Sequence, residues 1–210
     1  MSWSLGEAQA LAIKAARGAG YSWGLAEEAG FSVRWLCGRG LPGPQALAAM
    51  LATVDVQPML RPDPAAPKWI SGRGALCPLA LGAALVDRQT VPGESCQFGP
   101  VQSPLLLVPF VAQLPFDGKF VLKWDGAGFA FDHGHIAIVG SPAALIAPRG
   151  VCTLQSGQLS AANTPTATTR VPLEAQPHIE QLLGFAARTY APATDQSRLA
   201  GAGAGTTDND

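Results

Sequence analysis

The sequence predicts an α+β fold, in which a helical N-terminal layer packs on a small antiparallel sheet. Apolar residues recur at helical spacing through the first 50 or so positions, alternate with a period of two after about residue 119, and return to helical spacing near the C-terminus. We interpret the 210 residues as a single domain, made of a helical layer (1–54), a proline-rich linker (55–68), a mixed region with an antiparallel meander (69–171), and a helix with a docked glycine-rich tail (172–210).

The first helix is predicted to begin after Ser4. Ser4 and Glu7 stand three positions apart and fit a capping box, in which a hydroxyl and a carboxylate bind the first free N–H groups. This helix should end at Gly18 or Gly20, because glycine readily adopts the left-handed conformation that closes helices.

Two more helices complete the predicted N-terminal layer. Ser22 is a suitable N-cap for a second helix that runs to about Cys37. A third begins near Pro44, since proline suits the first helical turn, and runs to about Thr53.

The middle of the chain gives weaker signals. Four prolines in QPMLRPDPAAP predict an extended loop over residues 57–67. The stretch ALCPLALGAALVDR favours a helix after Pro78, and SPLLLVPFVAQL favours another from Ser103, with Pro109 tolerated as a kink.

A β-meander is predicted next, from KFVLKW, AGFAFD and HIAIVG. The pairs Asp125-Gly126 and His133-Gly134 separate these segments, and Asp-Gly between alternating apolar residues is a strong hairpin signal. VCTLQ at 151–155 extends the meander, QSGQLSAANTPTATT is a polar surface excursion, and a last helix runs from near Pro172 to near Tyr190.

Composition and charge exclude several classes of protein. The formal net charge is −1 and no basic stripe occurs, so we expect no nucleic-acid partner. No apolar run approaches the ~20 residues of a membrane span, and MSWSLGEAQA lacks the features of a signal peptide. We therefore expect a cytoplasmic protein without a membrane partner.

The four scattered cysteines show no zinc-site spacing, and we expect them to be buried and reduced. A catalytic thiolate at Cys77 or Cys152 stays open. The charged fraction of 14% is low and fits either a surface covered by a partner or second copy, or simply an alanine- and glycine-rich chain.

The C-terminal tail, RLAGAGAGTTDND, is the first candidate site. Its alternating glycines can turn successive N–H groups toward one anion, and nearby arginines can bind a carboxylate or phosphate through two hydrogen bonds. The acidic end could instead hold a hard cation, or the whole tail could be disordered. The residues concerned are Arg188, Arg198, Gly201, Gly203, Gly205, Asp208 and Asp210.

The second candidate is the segment RGAGYSWGLAEEAG, which begins at Arg17. Here Tyr21 and Trp23 could form an aromatic wall, and Glu27 and Glu28 could face a cleft from the next helix. In the structural alternative, Trp23 packs in the core and the glutamates simply favour the positive end of a helix dipole.

A third segment, Asp132-His133-Gly134-His135, has residue types that bind metals, but it lies in a predicted hairpin turn. We favour an exposed turn and predict no metal site. The sequence contains no P-loop, nucleophile elbow, HExxH motif or dinucleotide fingerprint, so the cofactor is left unassigned.

RGAGYSWGLAEEAG at the front and RTYAPATDQSRLAGAGAGTTDND at the back resemble a bacterial family known as the domain of unknown function 3726. The segments SPLLLVPF and KWDG fit the same pattern, so the resemblance extends over nearly the whole chain. It implies no activity, but it does imply that the tail is part of the domain.

Two functions are compatible with these residues. The first is a small-molecule binding protein or enzyme for an anionic or amide metabolite, with Glu27, Glu28 and Tyr190 as catalytic groups. Its ligand-binding residues would be Arg17, Arg188, Arg198, Gly201, Gly203, Gly205 and Asp208. The second is a non-catalytic subunit, buried against a partner enzyme or its own copy.

Overall fold

The computed structural model describes residues 3–63, 69–70, 73–88, 95–115, 118–159 and 163–190. Its architecture is α+β, as predicted. The helices are α1 (Leu5–Gly18), α2 (Trp23–Cys37), α3 (Gly43–Val54), α4 (Pro78–Arg88), α5 (Val108–Val111), α6 (Pro142–Leu145) and α7 (Gln176–Ala187), with 3-10 turns at Pro104–Leu107 and Leu173–Ala175.

The sheet is larger than the sequence predicted. Its strands are β1 (Trp69–Ile70), β2 (Ser95–Gln102), β3 (Lys119–Trp124), β4 (Ala127–Asp132), β5 (His135–Gly140) and β6 (Arg149–Ser156), in the order β1-β2-β6-β3-β4-β5. All neighbours pair antiparallel except β1, which is parallel to β2. The predicted antiparallel meander corresponds to β3, β4, β5 and β6, and the sequence did not reveal β1 and β2.

The predicted meander and its turns are confirmed. β3 pairs with β4 up to Trp124 and Ala127, and β4 pairs with β5 up to Asp132 and His135. His133 and Gly134 have φ values of 47° and 86°. Positive φ at both central residues is what a two-residue hairpin loop needs to match the twist of its strands.

The N-terminal helices form a bundle with α7. The capping box of Ser4 and Glu7 is present at the start of α1. Ser22 stands at the N-cap of α2 as predicted, although its side chain makes no capping hydrogen bond. α7 packs against α1 and α3, and the contact is close because Gly18 has no Cβ to meet the carbonyl of Phe185.

A wholly buried segment, residues 101–111, connects the helices to the sheet. The 3-10 turn and α5 within it contact α2 and α4, and the turn also contacts α3 and β6. The buried hydroxyl of Ser32 on α2 donates to the carbonyl of Leu106 at 3.0 Å. The helical layer thus reaches the sheet through this segment.

None of the helices in the described ranges has the length and apolar character that a membrane span requires.

Candidate functional site

The helices α2, α4 and α5 enclose a pocket of about 300 Å³, here called the acidic pocket. Three carboxylates stand on its wall together with an amide and two phenyl rings. The lining residues are Glu27, Glu28, Phe31, Ala83, Val86, Asp87, Phe110 and Gln113.

Local helix geometry and one glycine shape this pocket. Val86 and Asp87 lie three and four positions after Ala83, so they share one face of α4. A Cβ at Gly82 would lie 2.3 Å from the ring of Phe110. Glycine therefore lets the Phe110 ring lie directly against α4, where it also makes an edge contact with Phe31 at 5.7 Å.

Glu28 is the least exposed of the three carboxylates in this pocket. Its side chain is partly buried, and this burial raises the pKa of Glu28 above its ordinary value. The nearby negative charges of Asp87 and Glu27 raise this pKa further. A carboxyl with a raised pKa in a pocket is typical of general acids and bases and of cation-binding sites.

A second depression of about 360 Å³ continues along α4 from the acidic pocket. The acidic pocket and this second depression share Ala83 and Asp87, and we call the two together the α4 groove. The depression is lined by the guanidinium groups of Arg61 and Arg88, of which Arg88 stacks on Trp69 with its Cζ 4.6 Å from the ring centroid. Its lining residues are Ser22, Leu25, Arg61, Pro62, Ala80, Ala83, Ala84, Asp87 and Arg88.

Cys77 lies at the start of α4, where its carbonyl accepts the N–H of Leu81. Its Sγ is 3.7 Å from the hydroxyl oxygen of Tyr21. Burial raises the pKa of Cys77, so this thiol is protonated at neutral pH despite its position at a helix N-terminus. Burial also raises the pKa of Cys152, to about 12. A catalytic thiolate is therefore not favoured at either cysteine.

The predicted residues Arg17, Arg188 and Tyr190 lie at the ends of α1 and α7 on one side of the helical bundle, where Trp23 begins α2 and Asp55 follows α3. We call these five residues the bundle end. Arg17 donates to the carbonyl of Tyr21 and stacks on Trp23, with its Cζ 4.7 Å from the ring centroid. Arg188 forms an ion pair with Asp55.

Trp23 and Tyr190 are 66% and 65% exposed, so the interpretation of Trp23 as a core residue is wrong. Trp23 precedes Glu27 by one turn of α2, a rise of about 6 Å. The bundle end therefore neighbours the acidic pocket, but Arg17 and Arg188 do not line that pocket.

The tail residues of the predicted site lie outside the described residues. They are Arg198, Gly201, Gly203, Gly205, Asp208 and Asp210. Their part in a ligand site stays a prediction.

The Asp132–His135 segment forms the turn between β4 and β5, and His133 is exposed there. Asp132 pairs with Lys119 at 3.0 Å and with His133 at 2.8 Å. Across the ranges described above, no three His, Cys, Asp or Glu side chains are grouped closely enough to hold a metal ion.

Sequence reasoning found Glu27 and Glu28 but missed Arg61, Asp87 and Phe110. Each of the three lies far from α2 in the chain and reaches the groove only through packing. No local motif marks Arg61 or Asp87, because LRPDP and ALVDR are ordinary loop and helix-end sequences, and Phe110 ends SPLLLVPF, where the sequence predicts a helix but no site residue.

Residues 3–71 match the sequence profile of a family described as a protein of unknown function (DUF3726). The match includes RGAGYSWGLAEEAG, with Arg17, Glu27 and Glu28, and confirms the resemblance at the front of the chain. It covers about a third of the 210 residues, so the resemblance of the C-terminal motif stays a prediction. No curated protein and no solved structure matches the chain.

Proposed function

We propose that this protein binds a small molecule with a cationic amine or amide N–H group in the acidic pocket. In a catalysed reaction Glu28 would donate or accept a proton there. The supporting observation is that Glu28 is partly buried in a pocket that two phenyl rings and two further carboxylates, those of Glu27 and Asp87, also line.

The charge of the pocket favours a cationic group over an anion. Three carboxylates line it, and the part of the wall that is described contains no lysine or arginine. Like charges that lie close together in a partly buried site raise the free-energy cost of keeping each carboxylate ionised. A bound ammonium or amide N–H group offsets that cost. An anionic end of the same ligand could reach Arg61 along the α4 groove, which favours small zwitterions such as amino-acid derivatives.

This ligand site keeps Glu27 and Glu28 from the sequence prediction but takes Arg61 as its cation. Arg188 is already paired with Asp55, and Arg17 binds a backbone carbonyl and stacks on Trp23. The anionic metabolite predicted from the sequence becomes, in this proposal, a ligand whose amine or amide end is recognised first.

Phenylalanine amide is a suitable probe, since it carries an ammonium, an amide and a ring that can pack on Phe31 and Phe110. Titration calorimetry should show binding of this compound and at least about tenfold weaker binding of N-acetylphenylalanine amide, which lacks the charge. Glu28→Gln should weaken binding of phenylalanine amide by a similar factor.

Glu180→Gln is the matched control, because Glu180 is exposed on α7, whose helical neighbours are α1 and α3. This variant should bind phenylalanine amide like the wild type. Equal binding of the charged and acetylated compounds would exclude recognition of the ammonium group, and unchanged binding by Glu28→Gln would exclude the acidic pocket as the ligand site.

A second candidate, a non-catalytic cytoplasmic subunit, is favoured by the bundle end. Trp23 and Tyr190 expose aromatic side chains there, and aromatic residues are enriched in protein interfaces. If a second copy covers this surface, Trp23→Ser should lower the mass measured by light scattering, while Leu60→Ser, at an exposed leucine elsewhere, should not. An equal mass for both variants and the wild type would argue against the assembly.

A further inference from the structure

A different pocket, of about 220 Å³, lies where the helical layer meets the sheet, and we call it the junction pocket. The end of α2, the end of α5 and the β4–β5 turn form its walls. Its lining residues are Trp35, Arg39, Val111, Ala112, Leu114, Gly118, Phe131, His133, Gly134, His135 and Ile136.

Arg39 is the residue that defines this pocket chemically. Its guanidinium stacks on Trp35, with Cζ 3.7 Å from the ring centroid, and donates one hydrogen bond to the Trp35 carbonyl at 3.3 Å. No carboxylate of the described segments lies within ion-pair distance of Arg39. A partly buried guanidinium without a counter-charge carries a desolvation cost that an anion would offset.

Burial accordingly lowers the pKa of Arg39 below the ordinary value for arginine, although the group remains charged at neutral pH. Stacking on Trp35 fixes the plane of the guanidinium, so that its remaining N–H groups are held in place before a ligand arrives.

The β4–β5 turn adds two imidazoles to the same pocket. His133 has a left-handed backbone, with φ of 47°, and its Nδ1 lies 2.8 Å from Oδ1 of Asp132. Lys119 binds the other oxygen of this carboxylate at 3.0 Å. Asp132 therefore has both carboxylate oxygens occupied, and the imidazole rings of His133 and His135 line the pocket beside it.

The rest of the wall is apolar, formed by Trp35, Leu114, Phe131 and Ile136 together with small residues of α5. An inorganic anion would leave this surface unfilled. The volume is below the ~300–1,000 Å³ typical of sites for drug-sized ligands, so the occupant is small.

We propose that the junction pocket binds a small carboxylate with an aromatic or branched apolar body. Arg39 holds the carboxylate, His133 and His135 flank it, and the apolar body packs on Trp35 and Phe131. This site takes the opposite charge from the acidic pocket and does not depend on the function proposed for that pocket.

The test is a ¹⁹F NMR titration of the whole chain with 4-fluorobenzoate, with 4-fluorobenzyl alcohol as the uncharged control. We expect the carboxylate to bind, and the alcohol to bind at least about tenfold more weakly. Arg39→Gln should weaken binding of the carboxylate by at least the same factor. Arg34→Gln, at an exposed arginine of α2 whose side chain binds Gln9, should not.

Ala112→Leu is a second variant for the case that Arg39→Gln does not fold. It keeps Arg39 and fills the pocket instead, so it should also abolish binding. Glu28→Gln should leave binding of 4-fluorobenzoate unchanged, which separates this site from the acidic pocket.

The histidine signals locate the ligand. Of the three histidines in the chain, His133 and His135 line the pocket and His178 lies on α7. Addition of 4-fluorobenzoate should shift the imidazole resonances of the first two and leave that of His178 unchanged. The proposal is overturned if the carboxylate does not bind, if the alcohol binds equally well, if Arg39→Gln or Ala112→Leu folds and binds like the wild type, or if only His178 responds.

Discussion

Arg188 donates from both of its Nη atoms to Asp55, with Nη1 2.9 Å from Oδ1 and Nη2 2.8 Å from Oδ2. The two residues are separated by more than half of the chain, and each stands just beyond the end of its helix, Asp55 after α3 and Arg188 after α7. The Arg188 guanidinium also lies 4.3 Å from the ring centroid of Phe185. This pair therefore ties the C-terminal helix to the end of the N-terminal layer.

Asp55→Asn should destabilise the protein at neutral pH, in a way that depends on pH. The hydrogen bonds from Arg188 lower the pKa of Asp55 below its ordinary value of 3.8, so the ionised form is bound more tightly in the folded state. The stabilisation is present above the unfolded-state pKa and is lost as the pH falls through the lower folded-state pKa. Thermal melts at about pH 7 should separate variant and wild type, and melts in acid should converge.

Salt and a control variant distinguish the ion pair from packing. In about 1 M NaCl the Debye length is about 3 Å, and the difference between Asp55→Asn and the wild type should shrink. Asp125→Asn, in an exposed hairpin turn that accepts asparagine equally well, should melt like the wild type. A difference for Asp55→Asn that persists in acid would show that Arg188 is not its source.

Gly18→Ala should weaken the packing of α1 on α7. A Cβ at Gly18 would lie 1.9 Å from the carbonyl oxygen of Phe185, and backbone atoms cannot move aside as a flexible side chain can. We expect a loss of about 1–3 kcal/mol in the free energy of unfolding, measured by chemical denaturation.

Gly184→Ala is the matched control for this contact. Gly184 immediately precedes Phe185 within α7, and a Cβ there meets nothing within 4 Å among the described atoms. Alanine should therefore stabilise this helix by about 0.5–1 kcal/mol. If both alanine variants changed stability in the same direction, the close approach of Gly18 to α7 would not be the cause.

Local sequence signals predicted the elements whose ends are set by residues close to them in the chain. Two examples are the capping box of Ser4 and Glu7 and the turn at Asp125-Gly126. Each depends only on residues within four positions of one another, so the local sequence is enough to reveal it. The strand β2 was missed because the Gly99-Pro100 pair interrupts its pattern, and its partners β1 and β6 are distant in the chain.

The residues of the candidate site likewise fall into those that a local sequence signal predicts and those that only packing brings to the site. Glu27 and Glu28 stand next to each other on α2 and could be proposed from the sequence, whereas Asp87 joins them only because α4 packs beside that helix. Arg39 carries no local sequence signal, and its lack of a carboxylate partner among the described residues is a property of the packed structure. Sequence periodicity predicts which face of a helix is buried, and does not predict which unpaired group a pocket will hold.

Ser103→Gly should stabilise the protein by about 1 kcal/mol. Ser103 has φ of 43° and ψ of 66°, and its buried hydroxyl has no hydrogen-bond partner in the described structure. Glycine relieves a left-handed strain of about 1–2 kcal/mol and removes an unsatisfied hydroxyl, and its extra freedom in the unfolded chain offsets part of this gain.

Ser103→Ala separates these two causes, because it removes the hydroxyl and keeps the strain. Chemical denaturation should place its stability between those of the wild type and Ser103→Gly. A less stable alanine variant would indicate that the hydroxyl of Ser103 is satisfied, for example by a buried water.

Glu28→Gln should stabilise the protein at neutral pH although it is expected to weaken ligand binding. Burial, then Asp87 and Glu27, raise the pKa of Glu28 above its ordinary value of 4.5. A carboxyl whose pKa is raised by folding binds its proton more tightly in the folded state, so the wild type loses stability as the pH rises from about 4.5 through the folded-state pKa. Above the folded-state pKa of Glu28 the full loss of stability is present, and below its unfolded-state pKa there is no loss.

The glutamine variant lacks this titration, so the two proteins should have similar unfolding free energies in acid. At about pH 7 the variant should be more stable by a few tenths of a kcal/mol, the size of one relieved like-charge contact on a partly exposed helix surface. Denaturation at both pH values measures the difference, and Glu180→Gln should show none. A group that lowers stability while it strengthens binding is characteristic of a functional site, so a Glu28→Gln variant that was less stable at neutral pH would instead assign Glu28 a structural role.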